Sequence, residues 1–199
     1  MTVVDVGLGN VGSVVAALRR VGAEPIPSRL PDDVEAAGAL VLPGVGAFGQ
    51  GMARLHEAGL VEPIRRHVLE RGRPLLGICL GMQLLAGRGE EHGHHEGLGI
   101  VPGAVVRLPE RPGLRVPSIG WCDADSRAPA LVPARPFYFV HSFHMVADDP
   151  ADVVATFDHG GPVTAAVARG SALGVQFHPE KSHDAGLDLL AAWVARSAA

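Results

Sequence analysis

A chain of 199 residues that is 47% apolar and 19% charged, with 26 glycines and 16 prolines, holds enough apolar material for one well-buried core. That balance excludes disordered, coiled-coil and collagen-like classes, and a formal charge of -4 with no run of Lys or Arg argues against a nucleic-acid surface. Residues 74–87, the longest uncharged stretch around Cys79, are too short and too broken by glycine to cross a membrane. The two cysteines stand in unlike contexts, and the start MTVVDV has neither a basic leader nor a cleavage site. One domain over 1–199, in a reducing cytoplasm, with small molecules or proteins as partners, is therefore expected.

A β-branched run over 2–6 meets Gly7, and apolar residues at helical spacing over 11–21 stop at Gly22, which predicts strand, turn and helix. Residues 39–42 read as a buried strand entering the loop PGVGAFG. Helices over 51–58 and 61–71, a central strand over 74–78 and a helix over 80–86 follow. This alternation predicts an α/β fold with a mainly parallel central sheet and helices on both faces. Beyond Gly97, short β runs over 99–106, 137–140, 153–157, 163–167 and 173–177 predict added antiparallel strands. A last helix over 184–196 carries Leu187, Leu190, Ala191 and Val194 on one face and packs back on the sheet. No repeat or low-complexity linker marks a domain boundary.

Three constellations carry chemistry. GLGNVG places Gly7, Gly9 and Gly12 between a strand and a helix, the spacing of a dinucleotide fingerprint. That fingerprint also needs an acidic residue about 20 positions on, at the end of a second strand. The stretch there, AEPIPSRLPDD, makes a poor central strand, so a tight β-to-α turn is preferred and an NAD-binding module stays as the alternative of another class. In LLGICLGMQLL a buried strand delivers Gly77, Cys79 and Gly81 into a helix start, the thiol form of a nucleophile elbow. A helix N-terminus favours thiolate and points N–H groups at a developing oxyanion. The simpler alternative is a small buried hydrophobe. Cys122, in GWCDAD, lacks this setting and reads as an incidental thiol.

A thiol nucleophile needs a base, and there are ten histidines. His56 and His67 are expected on helix surfaces, and His92, His94 and His95 in a solvated loop rather than a metal site; no metal or cofactor is expected. His141 and His144 follow a strand and remain possible. His178 is the best candidate: GVQFHPEKS ends a strand, and in extended chain Glu180, two residues on, would point the same way and orient the imidazole. Without the Cys79 elbow, a solvated His–Glu pair would be the simpler reading.

Together these residues resemble a class I (triad-type) glutamine amidotransferase, whose pattern is a G-x-C-x-G elbow followed later by H-P-E. PGVGAFGQGM, LLGICLGMQLL, GLGIVPG, VPSIGW, FYFVHSF and VQFHPEKS also occur in the order found in the glutaminase family that serves imidazole glycerol phosphate synthase, over nearly the whole chain. The resemblance implies a flavodoxin-like fold. It implies that Cys79 attacks the glutamine amide, that His178 protonates the leaving amine and then activates water, and that Glu180 holds the ring. The oxyanion would be met by the Leu80 N–H and by the loop Gly44, Val45 and Gly46, whose rearrangement would let a distant ligand gate activity. Gln83, Glu91, His141 and Ser142 would line the glutamine site.

By the same resemblance ammonia passes to a barrel-shaped cyclase subunit in a heterodimer, which makes imidazole glycerol phosphate and AICAR, with Asn10, Trp121 and Lys181 facing that partner. Lys181 is the one lysine in the chain, every other strongly basic side chain being Arg. A compact ammonium offers a geometry that Arg does not copy. The chain departs from the family at VPSIGWCDAD, where Ser118 stands for a His and Cys122 for an Asn, both beside Trp121. The glutaminase of pyridoxal phosphate synthesis is the rival of like chemistry, and its glycine-rich loop differs from VGAFG. An inactive scaffold is disfavoured by the intact Cys79, His178 and Glu180 set.

Overall fold

In the computed structural model, which describes residues 1–198 and leaves Ala199 outside, β1 (Thr2–Val4) is buried throughout and turns at Gly7 into α1 (Val11–Arg20). Asn10 caps this helix, its side chain accepting from the Ser13 N–H at 3.2 Å. The proline-rich stretch forms β2 (Ile26–Ser28), which pairs only with β1 at the rim of the sheet, where Pro27 removes no shared ladder bond. α2 (Pro31–Ala36), β3 (Leu40–Gly44), α3 (Phe48–Glu57) and α4 (Val61–Arg65) follow, then a π-helical turn over Arg66–Glu70, β4 (Leu75–Cys79) and α5 (Leu80–Gln83).

The second half is built from β5 (Ala86–Gly89), β6 (His95–Glu96), β7 (Val101–Arg107), β8 (Ser118–Asp123), β9 (Asp125–Ser126), β10 (Pro136–His141), β11 (Phe143–Ala147), β12 (Val153–Asp158), β13 (Pro162–Arg169) and β14 (Ala172–Val175), closed by α6 (His183–Ser197). The main sheet runs β2-β1-β3-β4-β14-β13-β12-β9. Its first five strands are parallel and its last three join antiparallel. A ribbon β10-β8 and a four-stranded sheet β11-β7-β5-β6 stand beside it.

The period of two along the central strands sorts side chains between two cores. Val3, Val41, Leu76 and Ile78 face α1, α6 and the aromatic stack of Phe137, Phe139, Phe157 and Phe177. Val4, Leu40, Leu42 and Leu75 face Phe48, Met52, Leu55 and Ile64 of α3 and α4. With both faces covered, the functional surface is the edge where the parallel strands end and their loops gather.

Three expectations change here. The helix over 80–86 is a single turn, because the Leu84 and Leu85 carbonyls accept from the N–H groups of Leu98, Ile100 and Val101, which draws residue 86 into β5. His67 is not on a helix surface: the π-turn shifts the register of side chains and buries it, with Nε2 3.1 Å from the Pro74 carbonyl. Burial lowers its pKa, a hydrogen bond from the ring to Pro74 opposing. The runs around Ser118 and Phe143, not expected as strands, pair as β8 and β11.

Candidate active site

β4 ends at Cys79 in the left-handed region, φ 55°, one of three such non-glycine residues among those described. A side chain on Gly77 would lie 2.8 Å from the Gly81 carbonyl, and one on Gly81 would strike the Leu42 carbonyl. Only hydrogen fits at either place, so the flanking glycines let β3, β4 and α5 close around a strained turn. Leu80 opens α5, and a first-turn N–H has no intrahelical acceptor. Gly44 pairs with Cys79 in register, so the loop Val45–Gly46 starts beside the thiol.

His178 arrives one short step beyond β14. Its N–H donates to the Tyr138 carbonyl at 2.9 Å, and Ser182 Oγ donates to its carbonyl at 2.6 Å while accepting from the Tyr138 N–H at 3.0 Å. Nδ1 lies 2.8 Å from Glu180 Oε1, both side chains 3% exposed. Pairing is achieved by a 3₁₀ turn over Pro179–Lys181 rather than by the extended chain that the spacing suggested. Burial works to lower the pKa of His178, but hydrogen bonding and charge from Cys79 and Glu180 outweigh it and raise it to about 9. With Nδ1 committed to Glu180, Nε2 is the nitrogen left to face Cys79 and to transfer a proton.

These groups meet in one cavity of about 300 Å³, lined by Val45, Gly46, Cys79, Leu80, Gln83, Glu91, His141, Ser142, His178 and Lys181 among others. Glu91 Oε2 accepts from the Phe48 N–H at 2.8 Å, tying the cavity wall to the start of α3 just after the glycine loop. Gln83 Nε2 spends both hydrogens inside the protein, on the Phe143 carbonyl at 2.9 Å and on Gln176 Oε1 at 3.0 Å, which leaves only its Oε1 to meet a ligand. Burial depresses His141 to about 4, against a ring bond to the Phe143 carbonyl and with help from His144, His159 and His178. It is therefore neutral near pH 7, a cavity wall rather than a charged partner.

Behind Val45 a small cleft joins Gly9, Asn10, Gly44, Glu180 and Lys181. Gly9 lies against the backbone of Gly44 and Val45, so the first glycine motif packs on the loop. The end of β2 offers Ser28 and Arg29 where a dinucleotide site needs a carboxylate. Trp121 stands outside the cavity, 48% exposed on β8, stacked on His183 at 5.1 Å and edge-on to Tyr138. Ser118 is buried and pairs in register with His141, so that departure sits against the cavity wall. Cys122 is half-buried, its pKa raised by burial and by Asp123 and Asp158. His56, His92 and His94 are exposed, and His95 is half-buried with Nε2 3.1 Å from the Glu91 carbonyl. Among the described residues no group of three His, Cys, Asp or Glu is placed to hold a metal ion. Gln176, fully buried against Cys79, was not expected; its position two before His178 on the same chain was the available signal.

Comparison with known proteins places this geometry. A model of class-I glutamine amidotransferases matches residues 2–194. The chain is 46% identical over 200 residues to the imidazole glycerol phosphate synthase subunit HisH of Syntrophotalea carbinolica, covering 96% of this chain and 97% of that one. It is 47% identical over 199 residues to the subunit of the same name from Symbiobacterium thermophilum, with 97% and 92% covered. A crystal structure of a glutamine amidotransferase superposes with a TM-score of 0.77 at 23% identity, over 100% of this chain and 99% of the other. PurLQS from Thermotoga maritima does so at 0.75 and 20%, over 98% and 97%. The solved structures establish the flavodoxin-like fold, and the sequence relatives, similar along nearly the whole of both chains, show that this amidotransferase belongs to the HisH family of class-I glutamine amidotransferases.

Proposed function

We propose that the whole chain works as one glutaminase domain in which Cys79 is the nucleophile, His178 the acid and base, and Glu180 the group that orients His178 and stabilises its charged form once it has taken a proton. The observation that carries this reading is the shared cavity: a strained thiol and the free Nε2 of a His paired to a buried carboxylate open on the same 300 Å³ space. The thiol gives its proton to Nε2, and Sγ attacks the side-chain carbonyl carbon of glutamine. The oxyanion is met by the Leu80 N–H and the glycine loop over Gly44–Gly46. His178 returns the proton to the departing nitrogen, leaving a glutamyl thioester and ammonia. It then takes a proton from water, whose oxygen attacks the thioester to release glutamate and regenerate the thiol. Gln83 Oε1 and Glu91 accept from the ammonium of glutamine, and the segment His141–Ser142 closes the other wall.

Ammonia then passes to the cyclase subunit of imidazole glycerol phosphate synthase, the assembly for which the relatives are named, and the cyclase makes imidazole glycerol phosphate and AICAR in the cytoplasm. Supporting this heterodimer, Asn10 and Lys181 share a cleft beside the cavity, exposed Trp121 stacks on His183 two residues from Lys181, and Lys181 makes no ion pair among the described residues, so it is available to a partner carboxylate. No helix among those described is long and apolar enough to cross a membrane. The test is Cys79→Ala in complex with the cyclase. Glutamine-dependent turnover should vanish while turnover with ammonium salts persists; loss of both would make Cys79 a structural residue.

A further inference from the structure

Gln176 is a fully buried polar side chain that the chemistry above does not use. Its backbone N–H donates to the Ala165 carbonyl at 2.8 Å, which carries the chain of β14 one residue past its last pair with β4, Val175 with Ile78, so that Gln176 stands beside Cys79. A buried carboxamide needs partners for two N–H donors and a carbonyl, since burial without them is costly. Gln176 Oε1 accepts from Gln83 Nε2 at 3.0 Å, and its own Nε2 points at Cys79 Sγ, 3.7 Å away.

The direction of this chain is set at its far end. Gln83 also donates to the Phe143 carbonyl at 2.9 Å. Turning Gln83 over would set two oxygens face to face there, and turning Gln176 over would set two NH2 groups against each other. Each amide thus fixes its neighbour, and the last donor can point only at sulfur.

We propose that Gln176 is a positioning residue for the nucleophile, donating a hydrogen bond to Cys79 Sγ that strengthens as the thiol gives its proton to His178, with Gln83 locking the orientation of the donor. A thiol is a weak acceptor and a thiolate a strong one, so the bond favours the charged form and fixes where its sulfur sits. Gln176 and His178, two residues apart on the segment that follows β14, then serve the same sulfur, one as donor and one as proton acceptor. The inference rests on Cys79 being the nucleophile.

The test is the pH dependence of Cys79 alkylation by iodoacetamide in a Cys122→Ser background, comparing the parent with Gln176→Met, which keeps the volume and loses the donor. Groups facing the thiol are His178 and Glu180 after β14, Glu91 after β5, His141 on β10 and Lys181; both variants leave all of them in place. The midpoint should rise by about one pH unit and kcat for glutamine in the cyclase complex should fall about tenfold, with KM changed far less. Gln83→Met, which frees Gln176 to turn over, should move the midpoint the same way and serves if Gln176→Met fails to fold. A lower melting temperature with an unmoved midpoint would reduce Gln176 to a structural residue and overturn the inference. The alkylation readout holds whether or not Cys79 is catalytic; intact glutamine hydrolysis in Cys79→Ala would sink the nucleophile reading separately.

Discussion

Replacing Glu180 with Gln removes a buried charge from His178 and leaves an amide oxygen that still accepts from Nδ1–H. The pKa of His178 stands at about 9 against an ordinary 6.5, which corresponds to roughly 3 kcal/mol in favour of the imidazolium. Cys79 and Glu180 supply that preference jointly, against the cost of burial, so withdrawing the carboxylate takes away on the order of half of it. The His178 titration should therefore move down by about one pH unit or more, toward the value that burial alone favours. The sign follows from the proposed mechanism, in which the ring is protonated when ammonia leaves: it loses that proton as pH rises through its pKa. The basic limb of kcat/KM for glutamine should shift to lower pH, with the greatest loss above pH 7. The assays are NMR titration of the imidazole in histidine-labelled protein and the pH profile of glutamine hydrolysis with the cyclase and its nucleotide bound. A variant that remains folded yet titrates His178 near 9 would refute the assignment of Glu180 as its electrostatic partner.

The strained elbow should show itself in stability: Cys79→Gly, which accepts φ 55° freely, should be more stable than Cys79→Ala by about 1 kcal/mol in urea unfolding, both being inactive. Equal stability would mean that the turn stores no strain. His141, with its pKa depressed to about 4 from 6.5, should make the fold acid-sensitive. The unfolded chain takes up this proton below 6.5 while the folded one resists it down to about 4, so stability is full above 6.5 and falls as pH drops through that window. Near pH 5 the loss is roughly 2 kcal/mol, and His141→Gln should flatten the slope between pH 7 and 5 in urea titrations; an unchanged slope would assign the sensitivity to His67 and His144, whose pKa values burial also lowers.

The elements legible in the sequence were those in which one local signal decided the outcome. A β-branched or apolar run stopped by glycine gives a central strand wherever both faces are covered, and Val41, Leu76 and Ile78 could hardly be anywhere but inside. The elbow was legible because glycine on both sides of Cys79 is what two backbone approaches demand, one across the Gly77–Gly81 turn and one against Leu42. What could not be read was decided by partners far along the chain. The helix after Cys79 stops after one turn because residues 98–101 claim the carbonyls of Leu84 and Leu85, and no feature of 80–86 announces that. His67 looked amphipathic on a 3.6-residue period and was buried by one wider turn.

The candidate site divides along the same line. Cys79, His178 and Glu180 were found through short-range spacing, although the His–Glu pair forms in a 3₁₀ turn and not in extended chain. Gln83 and Glu91, assigned to the ligand by resemblance, also hold the protein itself together: one bridges β11 and Gln176, the other ties the loop after β5 to the first turn of α3. That double duty has a consequence for gating. The bond from Phe48 to Glu91 anchors the chain immediately after the glycine loop, and on the proposed function a glutamine ammonium competing for the same carboxylate would loosen that anchor as it binds. On the proposed function, substrate would act through Glu91 on the loop assigned to the oxyanion, while the partner would act on it through Asn10 and the cleft behind Val45. A loop tied to Glu91 just beyond its end and packed on the cleft of Gly9, Asn10 and Gly44 would then answer to both ligands at once, the coupling that the proposed delivery of ammonia to a cyclase requires.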